Sequence, residues 1–170
     1  MVIWLIGLSG AGKTTLANKV VSDANKEGIN TILIDGDVIR EVFGNDLGYS
    51  MEDRLLNAQR ICQLGKFLDH QGFHVICSIL SIFPETREWN RENVDKYYEV
   101  YIDTPIDSLV SRDPKGIYGK FNRGELSDVA GMDIHFPVPS HADLVIDNSG
   151  SKAELLNYSA QIVEVIKNRR

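Results

Sequence analysis

The stretch Val2-Ile3-Trp4-Leu5-Ile6 is an apolar run of strand character, and it leads without a break into Gly7-Leu8-Ser9-Gly10-Ala11-Gly12-Lys13-Thr14. Thr15 to Val21 then reads as helix. Strand, G-x-x-x-x-G-K-T and helix, in that order, form the context in which a glycine-rich loop cradles a phosphate. The glycines let the backbone curl so that successive N–H groups point inward, and the helix that follows adds its N-terminal dipole. Gly7, Ser9, Gly10, Ala11, Gly12, Lys13, Thr14 and Thr15 are therefore the expected triphosphate-binding residues. Lys13 is placed to reach the β- and γ-phosphates, and the Thr14 hydroxyl to meet the Mg²⁺ that accompanies ATP.

The rest of the chain alternates strand-like and helix-like segments. Thr31 to Ile34 is a β-branched run ending at Asp35-Gly36-Asp37, and a short helix follows through Phe43. Ser50, with Asp53 three residues on, starts a long helix running to about Gln71. Phe73 to Leu80 is apolar on both faces, as a buried parallel strand is. Pro84 to Val94 reads as helix, Tyr98 to Ile102 as strand, and Pro105 as the first residue of another helix. Ala142 to Ile146 is the last strand and Lys152 to Lys167 the closing helix. The pattern predicts one α/β domain over residues 1–170, a doubly wound five-stranded parallel sheet with helices on both faces. Ligands of such a sheet lie outside the carboxyl ends of its strands. Residues 112–139 are glycine-rich, polar and without a period, as a mobile lid would be.

Composition excludes several classes. At 170 residues, with 43% hydrophobic and 25% charged residues, the chain is an ordinary globular domain. Its net charge of −6 argues against non-specific nucleic-acid binding. Cys62 and Cys77 lack C-x-x-C spacing and read as buried thiols of a reducing compartment. No apolar run has the length of a membrane span, and the phosphate loop begins at residue 7, so a cytoplasmic location is expected. The four histidines show no metal-ligand spacing.

A guanine-reading N-K-x-D segment is absent, and the Phe73–Leu80 strand is followed by Ser81 where a motor ATPase carries an Asp. The acidic pair after the second strand points instead to a small-molecule kinase. Asp37 is the expected base, taking the proton of an acceptor hydroxyl. Asp35 either organises the site through a metal-bound water or caps the helix after it. Arg40, Arg54 and Asn57 fall on helix faces from which arginine forks bind a phosphate-like group. Residues 112–123 carry four cations, Arg112, Lys115, Lys120 and Arg123, in an otherwise acidic chain. Closing that segment would bring positive charge over the transferring phosphoryl group and shut out water. Arg112 is assigned to the ATP side, and Lys115 to both the catalytic and the acceptor-facing sets. Tyr49, Phe83 and Phe136 are loop aromatics that could stack on a base.

Together these segments resemble the adenylylsulfate (APS) kinases over nearly the whole chain. The resemblance is carried by Gly7 to Thr15, Asp35-Gly36-Asp37 with Arg40, Leu47-Gly48-Tyr49-Ser50 with Asp53, Arg54 and Asn57, and above all Arg112-Asp113-Pro114-Lys115-Gly116-Ile117-Tyr118. It implies transfer of the γ-phosphoryl of Mg–ATP to the 3′-hydroxyl of a nucleotide whose 5′ end is a mixed anhydride. Asp37 would then be the base, and Arg40, Arg54 and Asn57 would hold the acceptor. The family also implies a homodimer.

The departures fall where the family binds its acceptor. Gln59 stands where an Arg is usual, and Ser81-Ile82-Phe83-Pro84 replaces a Ser-Pro-aromatic-Arg segment. Val129-Ala130-Gly131 replaces F-T-G, whose Phe walls the adenine opposite the residue matching Tyr49. His135-Phe136-Pro137 replaces P-Y-E. Leu80, Ser81, Val129 and Phe136 thus join the expected acceptor-binding residues. The rewritten pocket is similar to that of the branch phosphorylating cytidine diphosphoramidate in bacterial capsule biosynthesis. The alternative is an adenylylsulfate acceptor, giving 3′-phosphoadenylylsulfate for sulfate assimilation.

Overall fold

The computed structural model describes residues 1–168. Its centre is β1 (Val2–Ile6), buried along its whole length because it lies between two parallel neighbours with helices over both faces. β3 (His74–Ile79) pairs on one side, with Leu5 opposite Ser78, and β4 (Tyr97–Asp103) on the other, with Leu5 opposite Val100. β2 (Thr31–Asp35) and β5 (Leu144–Asp147) complete the order β2-β3-β1-β4-β5, all strands parallel. This is the expected doubly wound five-stranded sheet.

Parallel pairing requires crossovers, and helices supply them. α1 (Lys13–Lys26) and α7 (Lys152–Asn168) cover one face with Leu16, Val20, Leu155 and Ile162, against Ile3, Leu5 and Val100. α3 (Met51–His70) and α4 (Pro84–Asn93) cover the other, where Ile61 and Cys62 meet Val2, Trp4 and Ile6. The alternation of β1 side chains between the two clusters follows from the two-residue repeat of a strand. Both cysteines are buried and unpaired, and burial pushes the Cys62 thiol up to about 12. No helix among the described residues is long and apolar enough to cross a membrane.

Several boundaries differ from the sequence expectation. α2 (Gly36–Val42) begins right after Asp35, which caps it by accepting the Asp37 N–H at 3.0 Å. β3 stops at Ile79, leaving Leu80 and Ser81 in the loop beyond. β5 begins at Leu144, and Pro105 is the N-cap of α5 (Ile106–Arg112), one residue before its first turn. The segment expected to lack regular structure contains α6 (Ile117–Asn122).

The carboxyl ends of the strands are joined by a buried amide. Asn148, directly after β5, donates from Nδ2 to the Ala11 carbonyl at 3.0 Å and to Thr104 Oγ1 at 3.4 Å. Loss of a buried donor that satisfies a loop carbonyl costs about 1–3 kcal/mol. Asn148→Ala is expected to lower the melting temperature by roughly 3–10 °C in a domain of this size, as followed by thermal denaturation.

Candidate active site

The phosphate loop spans the gap between β1 and α1. Gly10 and Gly12 sit at φ +79° and +88°, the left-handed region glycine tolerates. A Cβ on Gly12 would come within 2.5 Å of Leu155, and one on Gly7 within 2.9 Å of the Ile102 carbonyl. The loop is therefore held from behind as well as curled. Lys13 donates from Nζ to the Leu8 carbonyl at 2.9 Å across the loop. Burial is the main reason its ammonium is pushed down to about 8, with Lys115 adding repulsion and Asp35 and Asp37 opposing both.

Thr14, the second residue of α1, lies beside the ends of β2 and β3. Its hydroxyl donates to Asp35 Oδ2 at 2.7 Å and lies 3.1 Å from Ser78 Oγ. Asp35 and Ser78 are opposite each other in the β2–β3 register, which is why two separate strands deliver them to one point. Asp35 thus caps α2 with one oxygen and accepts from the Thr14 hydroxyl with the other. Ser78 is not among the expected site residues, because one small residue inside an apolar strand carries no signal of its own. The register with Asp35 is the signal that would have found it.

Across this cluster, Asp37 Oδ2 accepts from Lys115 Nζ at 2.6 Å. That bond is the main cause of the raised Lys115 pKa. Every residue around Lys115 helps place it. Arg112 donates to the Gly150 carbonyl at 3.0 Å, anchoring the segment to the turn before α7. The Asp113 carboxylate accepts from the Tyr118 and Gly119 N–H groups and caps α6. Pro114 lies against Gly10, and Gly116 takes φ +67° ahead of α6. Tyr118, fully buried, donates its hydroxyl to the Ser9 carbonyl at 2.9 Å. The segment expected as a lid is thus folded down on the phosphate loop. Of its other cations, Arg123 pairs with Glu125.

A cavity opens from this cluster, lined by Ser9, Lys13, Thr14, Asp35, Asp37 and Lys115 at one part and by Arg40, Tyr49, Arg54, Asn57, Leu80, Ser81, Phe83 and Val129 elsewhere. Arg40 donates to the Gly48 carbonyl at 2.7 Å, and its guanidinium lies 4.8 Å from the centre of the exposed Tyr49 ring. Arg54 donates to the Tyr49 and Asp128 carbonyls at 2.7 and 2.8 Å. Desolvation first, then Arg40, keeps its pKa below the ordinary value. Asn57 is 4% exposed; its Nδ2 donates to the Gly36 carbonyl, and its Oδ1 is buried without a donor among the described residues. Val129 is 4% exposed, its wall of the cavity backed by the core. Ser81, at φ +57°, accepts from Trp4 Nε1 at 3.1 Å.

Phe136 is a correction. It does not line the cavity: it is 9% exposed and its ring stacks on Tyr101 at 6.0 Å between centroids. The segment around it turns inward because Arg87 holds the Pro137 carbonyl from behind. Arg60 is also outside, tied to Asp46 by two bonds and lying over Phe43. Arg112 and the glycines of the phosphate loop lie outside the cavity lining.

Residues 1–147 match the sequence profile of the family described as adenylylsulphate kinase. The chain belongs to the adenylylsulphate kinase family. It is 36% identical over 170 residues to the adenylyl-sulfate kinase of Buchnera aphidicola, covering 99% of this chain and 81% of that one. It is 40% identical over 148 residues to the cytidine diphosphoramidate kinase of Campylobacter jejuni, covering 87% and 86%. The APS kinase of Mycobacterium tuberculosis, solved in complex with AMPPNP and APS, superposes with a TM-score of 0.89 at 30% identity, covering 98% of this chain and 96% of that one. As a member of the adenylylsulphate kinase family the chain is a nucleotide kinase, with ATP as co-substrate and a hydroxyl as acceptor.

The state of Lys13 yields a prediction with a definite sign. Its folded pKa of about 8 lies below the unfolded 10.5, so between those values the unfolded chain holds more protons than the folded one. Folding stability contributed by this residue therefore rises with pH across that window, and below pH 8 the buried charge is a cost. Lys13→Met is expected to stabilise the ligand-free protein at pH 7 by on the order of 1–3 kcal/mol. The difference should shrink as pH approaches 10.5, with ATP-induced stabilisation lost throughout; paired melting curves at several pH values measure both.

Proposed function

We propose that the protein transfers the γ-phosphoryl of Mg–ATP to the 3′-hydroxyl of cytidine diphosphoramidate. The observation that carries the acceptor is Val129, an aliphatic, buried wall on the segment that Arg54 joins to Tyr49. A flat aliphatic surface opposite one aromatic ring suits a small pyrimidine better than the two aromatic walls that hold a purine. Gln59 and Pro84 agree with it, leaving fewer cations around the acceptor than an adenylylsulfate site has. The 40% identity to the Campylobacter jejuni kinase supports the same reading. Adenylylsulfate is the rival acceptor, supported by the Buchnera aphidicola relative and by the Mycobacterium tuberculosis structure.

In this reading Asp37 accepts the proton of the 3′-hydroxyl as the oxygen attacks phosphorus. Lys115, already on Asp37 Oδ2, is displaced by the hydroxyl and turns its charge to the transferring group. Lys13 leaves the Leu8 carbonyl for the phosphates of ATP, whose charge offsets the cost of burying its ammonium. The backbone N–H groups from Gly7 to Thr15 hold the donor, with Arg112 bracing the donor side. Arg40, Arg54 and Asn57 orient the acceptor; Asn57 Oδ1 is ready to accept a donor that the chain itself does not supply. Leu80 and Ser81 form the floor of the cavity, and the 112–139 segment lifts to admit ligands.

The Thr14 and Ser78 hydroxyls and the Asp35 carboxylate form an oxygen-only set suited to Mg²⁺, which binds through few protein groups and the nucleotide phosphates. Mg²⁺ would neutralise charge on the β- and γ-phosphate oxygens. The reading places the enzyme in the cytoplasm, where ATP is supplied, and takes it as a homodimer without nucleic-acid or membrane partners.

Two measurements test this. Supplied with Mg–ATP and a panel of cytidine diphosphoramidate, APS, CDP and simple nucleosides, the protein should release ADP fastest with cytidine diphosphoramidate. Turnover with APS alone would replace the cytidine acceptor by the adenylylsulfate one. Asp37→Asn should lower turnover by about two or more orders of magnitude while calorimetry still records ATP binding. A near-normal rate would remove Asp37 from the role of base.

A further inference from the structure

The segment carrying Val129 holds a carboxylate, Asp128, whose charge acts on Arg54 from a distance. Asp128 lines the cavity and is exposed, at φ +61°. Its backbone is fully occupied: the N–H donates to Asp133 Oδ2 at 2.8 Å, and the carbonyl accepts from Arg54 at 2.8 Å. Asp133 also accepts the Val129 N–H at 2.6 Å, so the turn is organised by Asp133 and not by the Asp128 side chain. Glycine or asparagine would satisfy the left-handed conformation as well as aspartate does. The carboxylate makes no salt bridge with Arg54 or with any other cation among the described residues. One of its oxygens, Oδ2, accepts from Ser127 Oγ at 3.1 Å, which fixes the group and leaves Oδ1 open.

A negative charge in a cavity that also presents Lys13, Lys115, Arg40 and Arg54 works against binding an anion. An ionised carboxylate only accepts hydrogen bonds, so its natural partner in the cavity is a neutral N–H donor. The Arg54 fork fixes Asp128 relative to the segment of Tyr49, and Val129 is its immediate neighbour. A base held between Tyr49 and Val129 therefore has the Asp128 carboxylate at its edge. Cytosine and adenine present an exocyclic amine there; uracil, guanine and hypoxanthine present a carbonyl oxygen, whose lone pairs would face the charge.

We propose that Asp128, held by Ser127, reads the amino edge of the acceptor base and excludes keto bases. The assignment makes the acceptor an amino-base nucleotide and rests on the reading that the base lies between Tyr49 and Val129. Discrimination arises because a keto base would bring two acceptors together, with the carboxylate left unpaired beside it.

The test compares kcat/KM for cytidine diphosphoramidate and its uridine counterpart in the wild-type protein, Asp128→Asn and Asp128→Gly. Both substitutions suit the backbone conformation. The asparagine amide can donate to a keto oxygen, so Asp128→Asn should reduce the cytosine preference at least about tenfold, chiefly by lowering the uridine KM, with kcat for cytidine within about twofold. Asp128→Gly should reduce the preference by raising the cytidine KM. If Asp128 merely balances the charge of Arg54, both variants will shift both substrates equally, and an unchanged ratio overturns the proposal. Where APS is the acceptor used, the same ratio is taken between APS and its inosine counterpart, so the wrong choice of amino base does not mask the result. Equilibrium binding of CDP against UDP, or of ADP against IDP where APS is the acceptor used, supplies a second readout. A preference for the amino base lost in Asp128→Asn supports the assignment even if no diphosphate is phosphorylated. No preference in the wild type for the amino member of the pair that matches its acceptor overturns it.

Discussion

One carboxylate joins the two halves of this molecule. Asp35 holds the Thr14 hydroxyl with one oxygen and the Asp37 N–H with the other. The first bond belongs to the nucleotide loop and the second starts the helix bearing Asp37 and Arg40. Because Asp35 ends β2 opposite Ser78 on β3, its position is fixed by sheet register and not by a flexible loop. The distance between the phosphate loop and the acidic side of the cavity is thereby set by main-chain pairing. A reaction that depends on alignment to within fractions of an ångström gains from such a frame.

The segment from Arg112 to Tyr118 works by the same economy of means. Arg112 and Tyr118 tie its ends to the Gly150 and Ser9 carbonyls, Asp113 caps the short helix, and Lys115 is left as the residue facing Asp37. Polar contacts from three side chains to main chain position one ammonium. The cation cluster seen in the sequence is therefore not a general positive cover: Arg123 spends its charge on Glu125, and Arg112 on backbone carbonyls.

The alternation of strands and helices was legible because each strand is short, apolar and bounded by turn residues, and the phosphate loop because its spacing has one structural solution. Arg40, Tyr49, Arg54 and Asn57, three from helices and one from a loop, all line the cavity. What could not be read depends on the direction of single side chains. Phe136 sits in a polar loop, but its ring finds Tyr101 in the core instead of the cavity. Ser78 is one small residue in an apolar strand, and only the register with Asp35 gives it meaning. Asp128 was invisible because a polar residue in a glycine-rich stretch reads as solvent-facing, whereas Arg54, 74 residues away in the chain, draws its backbone to the cavity.

The contact between Lys115 and Asp37 carries a consequence for the enzyme at rest. With an ammonium at 2.6 Å, one oxygen of the proposed base, Oδ2, is already engaged before any acceptor arrives. On the proposed reading, the ligand that displaces the lysine frees this oxygen and sends the ammonium toward the donor phosphate in the same movement, so the ion pair ties the placing of positive charge to the arrival of the acceptor.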